Sequence, residues 1–146
     1  MSGTYVFNTE ALIAFLYDEP GHERVADLLD EVEAGEAKGL LSEINASEVY
    51  YLVARFEGTD EDKPTPASLR VADWDVRTLT RCGLVIEQVD WRLAGEVKVD
   101  GRISIADAYG VALSHDRDAT FLAGGDDDFD ALPVDVDVER FRNHGV

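Results

Sequence analysis

Three acids and one amide fall where the predicted strands of this chain end. Asn8 follows the first strand, Glu48 comes after the second, Asp107 lies in the helix that precedes the fourth, and Asp126 follows the fourth. Carboxylates are hard oxygen donors. Ions such as Mg²⁺ take one or two of them and fill the remaining positions with water and substrate phosphate, so acids converging at one sheet edge can form a metal site. In so acidic a chain the spacing alone says little, and each position also has a structural reading. Asn45 could N-cap the third helix with Glu48 as its capping-box partner, and Ser104 could do the same for Asp107. Asp126, Asp127, Asp128 and Asp130 could form a solvated turn, with Phe129 anchoring it to the core. His22, His115 and His144 share no ligand-like spacing and read as surface residues. No Gly-rich phosphate loop and no Ser or Cys nucleophile motif occurs. Cys82, the only cysteine, reads as a buried or half-buried structural residue.

Such donors need a scaffold that gathers strand ends. Strands are predicted over 5–7, 39–41, 84–86 and 120–122, and Val134, Val136 and Val138, alternating with acids, predict an edge strand. Helical spacing joins Ala11, Leu12, Phe15 and Leu16, then Val25, Leu28, Leu29 and Val32 up to Gly35. It returns in Val49, Leu52, Val53 and Phe56, and in Leu69, Ala72, Val76 and Leu79 up to Gly83, with further helices over 91–97 and 105–113. The one clear loop, 58–67, is interrupted by Pro64 and Pro66. It joins two halves of one domain spanning 1–146, because neither half supplies a complete sheet. Strands separated by helices imply a central parallel sheet of about five strands covered on both faces, a three-layer α/β/α sandwich with right-handed crossovers. Ligands gather at the carboxyl ends of the strands in such sheets.

A chain of 146 residues can bury a core without disulfides. Acids outnumber bases 31 to 13, giving a formal charge of −18, and they are scattered rather than gathered in a tail. Lysine occurs only at Lys38, Lys63 and Lys98. A dispersed acidic surface of this kind resembles proteins of salt-accumulating microbes and predicts a halophilic, archaeal source. The chain lacks the basic stripe that phosphate binding normally shows. At molar salt long-range steering is screened for every protein, so short-range metal or arginine contacts must carry such binding. No apolar run approaches the roughly 20 residues that span a bilayer, and the N-terminal residues lack the basic-then-apolar order of a secretory signal. A soluble, cytoplasmic protein with no membrane partner is expected.

The segments YVFNTEALIAFLYDEPG, LLSEINASEVYYLV, ISIADAYGVALSHDRDATFLAGGDDDF and VDVERF resemble, in order and over nearly the whole chain, the signature blocks of the PIN-domain family. The resemblance implies a PIN-like sandwich and an endoribonuclease that uses Mg²⁺ or Mn²⁺, of the kind that serves as the toxin in VapBC toxin-antitoxin pairs. Its implied partners are an RNA substrate, a cognate antitoxin and a second copy in a homodimer. Carried over residue by residue, the family's catalytic, metal-binding acids match Asn8, Glu48, Asp107 and Asp126, with Thr9 beside the first. Two positions depart from the pattern: Asn8 stands where an aspartate is expected, and Gly124 where the turn before Asp126 usually has threonine or serine. An amide oxygen can coordinate metal, but one lost charge weakens the field that holds Mg²⁺, so the implied activity is impaired. Tyr50, Tyr51, Arg55, Arg77 and Arg102 are candidates for RNA contacts. A non-catalytic binding module is the rival reading that Asn8 favours. A phosphatase with its nucleophile at the first strand's end is disfavoured, because Asn8 cannot be one.

Overall fold

The computed structural model describes residues 3–142; His144 lies outside them. In chain order the elements are β1 (Thr4–Phe7), α1 (Thr9–Leu16), α2 (His22–Glu33), β2 (Lys38–Ser42), α3 (Glu43–Phe56), α4 (Pro66–Arg81), β3 (Val85–Glu87), α5 (Trp91–Asp100), α6 (Ile105–Asp116), β4 (Thr120–Ala123), a 3₁₀ turn (Asp127–Asp130) and β5 (Asp137–Arg140). The strands lie in the order β3-β2-β1-β4-β5, and every neighbouring pair is parallel.

Strand side chains alternate between the two faces. Phe7, Leu41 and Leu122 enter one apolar cluster with the buried stripes of α1, α2, α3 and α4. Val6, Leu40 and Phe121 enter the other with Val97 of α5 and with Ala108 and Val111 of α6. Three α/β/α layers result, as the pattern predicts. Among the described residues no helix is long and apolar enough to cross a membrane.

Several boundaries differ from the sequence reading, each for a local reason. Helix α3 starts well before Val49: Ser42, extended at φ −68° and ψ 151°, accepts a hydrogen bond from the Asn45 backbone N–H and is the N-cap. The expected cap at Asn45 is therefore overturned, and its side chain turns inward. Helix α4 takes two residues from the expected loop, because Pro66 sits at its first position, where a missing N–H is harmless, and Thr65 and Ser68 form a capping box before it. The edge strand is confined to Asp137–Arg140. Phe129 is buried and packs on Phe121 with ring centroids 5.3 Å apart, which ties the acidic turn to the core as expected.

Candidate active site

From β1 the chain runs outward through β2 and β3, then returns to place β4 on the other side of β1. The strand order therefore reverses between β1 and β4, and the crevice beyond their carboxyl ends is where ligands bind in open α/β sheets. Asn8 directly follows β1 and Gly124 directly follows β4.

Asn8 is 1% exposed and caps α1, its Oδ1 accepting from the Thr9 backbone N–H at 2.9 Å. A backbone N–H can only donate, so this contact fixes which end of the amide is oxygen. Asn45 Nδ2 donates to Thr9 Oγ1 at 2.9 Å and to Asn8 Oδ1 at 3.5 Å, and Ser42 Oγ donates to Asn45 Oδ1. The Asn8 oxygen is thus engaged in a buried neutral network. Its amide N–H₂ is the end left toward Asp107, where it favours the ionised carboxyl. The substitution at this position presents a donor to the cleft.

Asp107 stands in the first turn of α6. Ser104 caps that helix, its Oγ accepting from the Asp107 backbone N–H at 3.1 Å, as the sequence suggested. Burial pushes the Asp107 carboxyl above its ordinary range, hydrogen bonds from Asn8 and Ser104 oppose the rise, and the charge of Glu48 adds to it. Glu48 projects from α3, and a cleft of about 280 Å³ is lined by Thr9, Glu10, Ile13, Glu48, Leu52, Ser104 and Asp107. Helix α6 comes this close through Gly110, where a Cβ would press into the Phe121 ring and touch Asn45 Oδ1.

Asp126 is exposed and lies outside that lining. Its Oδ1 accepts from the Asp128 backbone N–H at 2.8 Å, so it caps the 3₁₀ turn while its charge still reaches Glu10. Arg140 of β5 clamps this segment, donating to the carbonyls of Gly124 and Asp126, each at 2.7 Å, and to Asp130 at 2.6 Å.

Glu10 escaped the sequence reading. Its carboxylate lies against Gly124, in the space a Cβ there would occupy. Burial pushes Glu10 up, Arg142 opposes, and Asp107, Asp126 and Glu19 add to the rise. No local signal marks Glu10, since it reads as an ordinary first-turn acid. The glycine at 124 was the only trace.

Among the described residues, no three His, Cys, Asp or Glu side chains form a group close enough to hold one ion between them. A closed carboxylate cage is therefore absent. Acids that sense each other's charge across one cleft do suit the other mode of Mg²⁺ binding, one or two carboxylates with water and phosphate completing the shell.

The remaining candidates lie elsewhere. Tyr50 packs against the core, Tyr51 is exposed beneath the Arg55 guanidinium, and Arg77 pairs with Asp73 at 2.8 Å. Arg102 lines a separate cavity with Asp127 and Asp128. His22 sits by Asp18 and Glu23, and His115 contacts the Asp135 carbonyl at 2.8 Å. Cys82 is a half-buried free thiol.

A family model described as "PIN domain" matches residues 5–135. A search of curated protein sequences finds no match. Among solved structures, VapBC2 from Rickettsia felis bound to a promoter DNA fragment superposes with a TM-score of 0.70 at 15% identity, covering 94% of this chain and 98% of that one. DNA-bound VapBC from Salmonella typhimurium gives 0.67 at 11%, covering 97% and 99%. FitAcB from Neisseria gonorrhoeae gives 0.61 at 19%, covering 94% and 97%. At these identities the likeness is one of fold.

Proposed function

The chain belongs to the PIN-domain family, and from that premise we propose that it is a metal-dependent endoribonuclease of the toxin class, partnered by an antitoxin. The observation that carries the reading is the pairing of Asp107 and Glu48 across one cleft at the switch point of the sheet. Those two carboxylates are the ones to hold Mg²⁺ or Mn²⁺, with Asp126 adding negative potential from the adjacent turn. When bound, such an ion supplies an activated water and neutralises charge on the scissile phosphate. The protein's own part is positioning. Ser104 holds the Asp107 backbone at the start of α6, Asn8 favours the ionised Asp107 carboxyl, and the Ser42–Asn45–Thr9 network fixes Asn8. Single-stranded or loop RNA suits an open cleft, because its bases can be splayed away from the backbone.

Cleavage of unstructured and hairpin RNAs, in high KCl with Mn²⁺, tests the reading. Cutting should stop with chelator and fall by roughly 10²-fold or more in Asp107→Asn, where one of the proposed ion-holding charges is gone. In Asn8→Asp it should rise. If neither the natural sequence nor Asn8→Asp cuts RNA, and Mn²⁺ raises the melting temperature of neither, the enzyme reading fails. The non-catalytic binding module, which the donor facing Asp107 favours, then takes its place.

Association fits the same class. Ile44, Trp91 and Tyr109 line a cavity of about 350 Å³, Trp91 and Ile105 are widely exposed beside it, and light scattering at high salt should show a homodimer. The charge of −18 fits a salt-accumulating, cytoplasmic source. Melting temperature should then climb along a KCl series, and a flat series counts against that origin.

A further inference from the structure

Resting on the proposed metal site, we infer that Arg140 is a positioning residue for Asp126, fixing the turn that carries this carboxylate against the end of β4. In β5, Arg140 pairs with Ala123, the last residue of β4. Its side chain is 17% exposed and reaches past the strand end. There Nη1 donates to the carbonyl oxygens of Gly124 and Asp126, each at 2.7 Å, and Nη2 donates to Asp130 Oδ1 at 2.6 Å. The 3₁₀ turn spans Asp127–Asp130, with Asp126 as its N-cap. One guanidinium thus holds the residue that leaves the strand, the residue that opens the turn and the residue that closes it.

The aim of the Asp126 carboxylate depends on this grip. Its Oδ1 is hydrogen-bonded to the Asp128 backbone N–H inside the same turn, so the carboxylate moves as the turn moves. Phe129 pins the middle of the turn through Phe121, but one ring contact leaves the two ends free to swivel. Arg140 removes that freedom. It takes Asp126 by the backbone carbonyl and meets its opposite charge at Asp130, which orients the residue while leaving its carboxylate to the cleft side. A rigid planar fork of N–H donors can serve three oxygens in set directions, and an ammonium cannot. The sign of the effect separates positioning from charge. A cation near acids weakens their hold on Mn²⁺, so deleting Arg140 for its charge alone should tighten binding. Deleting a partner that orients an acid should loosen it, commonly by about 10- to 100-fold.

Calorimetric titration of the full chain with Mn²⁺ in high KCl tests the inference, with metal-free melting curves showing which variants fold. Asp126→Asn and Arg140→Met should each weaken binding by roughly tenfold. The double variant should bind no more weakly than Asp126→Asn alone, because Arg140 acts through that carboxylate. Arg140→Lys keeps the charge without the fork, and its affinity should fall between those of Arg140→Met and the natural sequence. If Asp126→Asn binds more weakly but Arg140→Met, or Arg140→Lys should the first not fold, binds at least as tightly as the natural sequence, the positioning role is overturned and the site reading stands. Losses that add in the double variant also overturn it, since Arg140 would then act apart from Asp126. Undiminished binding by Asp126→Asn leaves nothing to position and overturns it as well. If the natural sequence takes up no Mn²⁺, both the inference and the site reading fall.

Discussion

Ser42, Asn45, Asn8 and Thr9 satisfy one another's hydrogen bonds, whereas Glu10, Glu48 and Asp107, at the same end of the sheet, line one cleft in which burial and neighbouring acids raise the carboxyls of Glu10 and Asp107. The first group is buried and neutral, and each member has found partners of the opposite kind. The second group is only partly buried, and its members are alike in charge. Two acids elsewhere in the chain follow the first rule: Glu139 takes Arg24 at 2.7 and 3.0 Å, and Glu87 takes Arg117 at 3.0 and 3.2 Å. Folding alone rewards the saturated arrangement, since unpaired buried polar groups are destabilising. Folding alone therefore does not account for the acid cluster.

The contrast breaks most visibly in the saturated group. Asn45→Leu leaves Thr9 Oγ1 and Ser42 Oγ without their partner in a buried setting and should destabilise by about 2 kcal/mol. Thermal melts should fall by roughly 6 °C, with or without Mn²⁺. A melt within a degree of the natural sequence would show that the network is incidental.

In the acid group the sign inverts. Asp107→Asn keeps the shape and removes a charge that burial and Glu48 both disfavour, so the metal-free protein should gain about 1 kcal/mol, a rise of roughly 3 °C. The same variant should lose the stabilisation that Mn²⁺ gives by mass action. A loss of metal-free stability would place Asp107 with the structural polar residues.

The pH response is the smallest effect. Folding raises the carboxyls of Asp107 and Glu10 above their ordinary values of 3.8 and 4.5. A raised acid penalises the folded state wherever it is ionised, and the penalty disappears as the pH falls through the folded value. Urea midpoints of the metal-free protein should therefore increase from neutral pH down toward the ordinary carboxylate range. The double variant Asp107→Asn with Glu10→Gln should flatten that slope but not abolish it, because burial and Glu57 also raise Asp75.

The parts of this arrangement that obey short periodicities were legible in the residues. Short apolar runs gave four strands, alternation pointed to the fifth and the 3.6-residue stripes gave the helices, and together they put Glu48 and Asp107 on the elements that converge. Asp126 was placed at its turn, and Phe129 was read as its anchor. What escaped depends on contacts between distant segments. Asn45 looked like a cap because its type suits one; only the extended backbone at Ser42, with Thr9 waiting opposite, turns it inward. Glu10 looked like any acid near a helix N-terminus, and its place depends on a missing side chain at Gly124, on the far strand. The direction of the Asn8 amide is likewise set by neighbours and not by residue type.

The central position of β1 has a kinetic consequence. Its first neighbour, β2, follows within the opening third of the chain, but its other neighbour, β4, is encoded near the end. At synthesis rates of about 5–20 residues per second, on the order of ten seconds separates the emergence of Asn8 from that of Asp126. For about half of that interval, between the emergence of Glu48 and that of Asp107, a nascent chain holds Glu10 and Glu48 but neither Asp107 nor the turn that follows it. Whatever this cleft does, a partly made copy that lacks Asp107 and the turn lacks the arrangement that would do it.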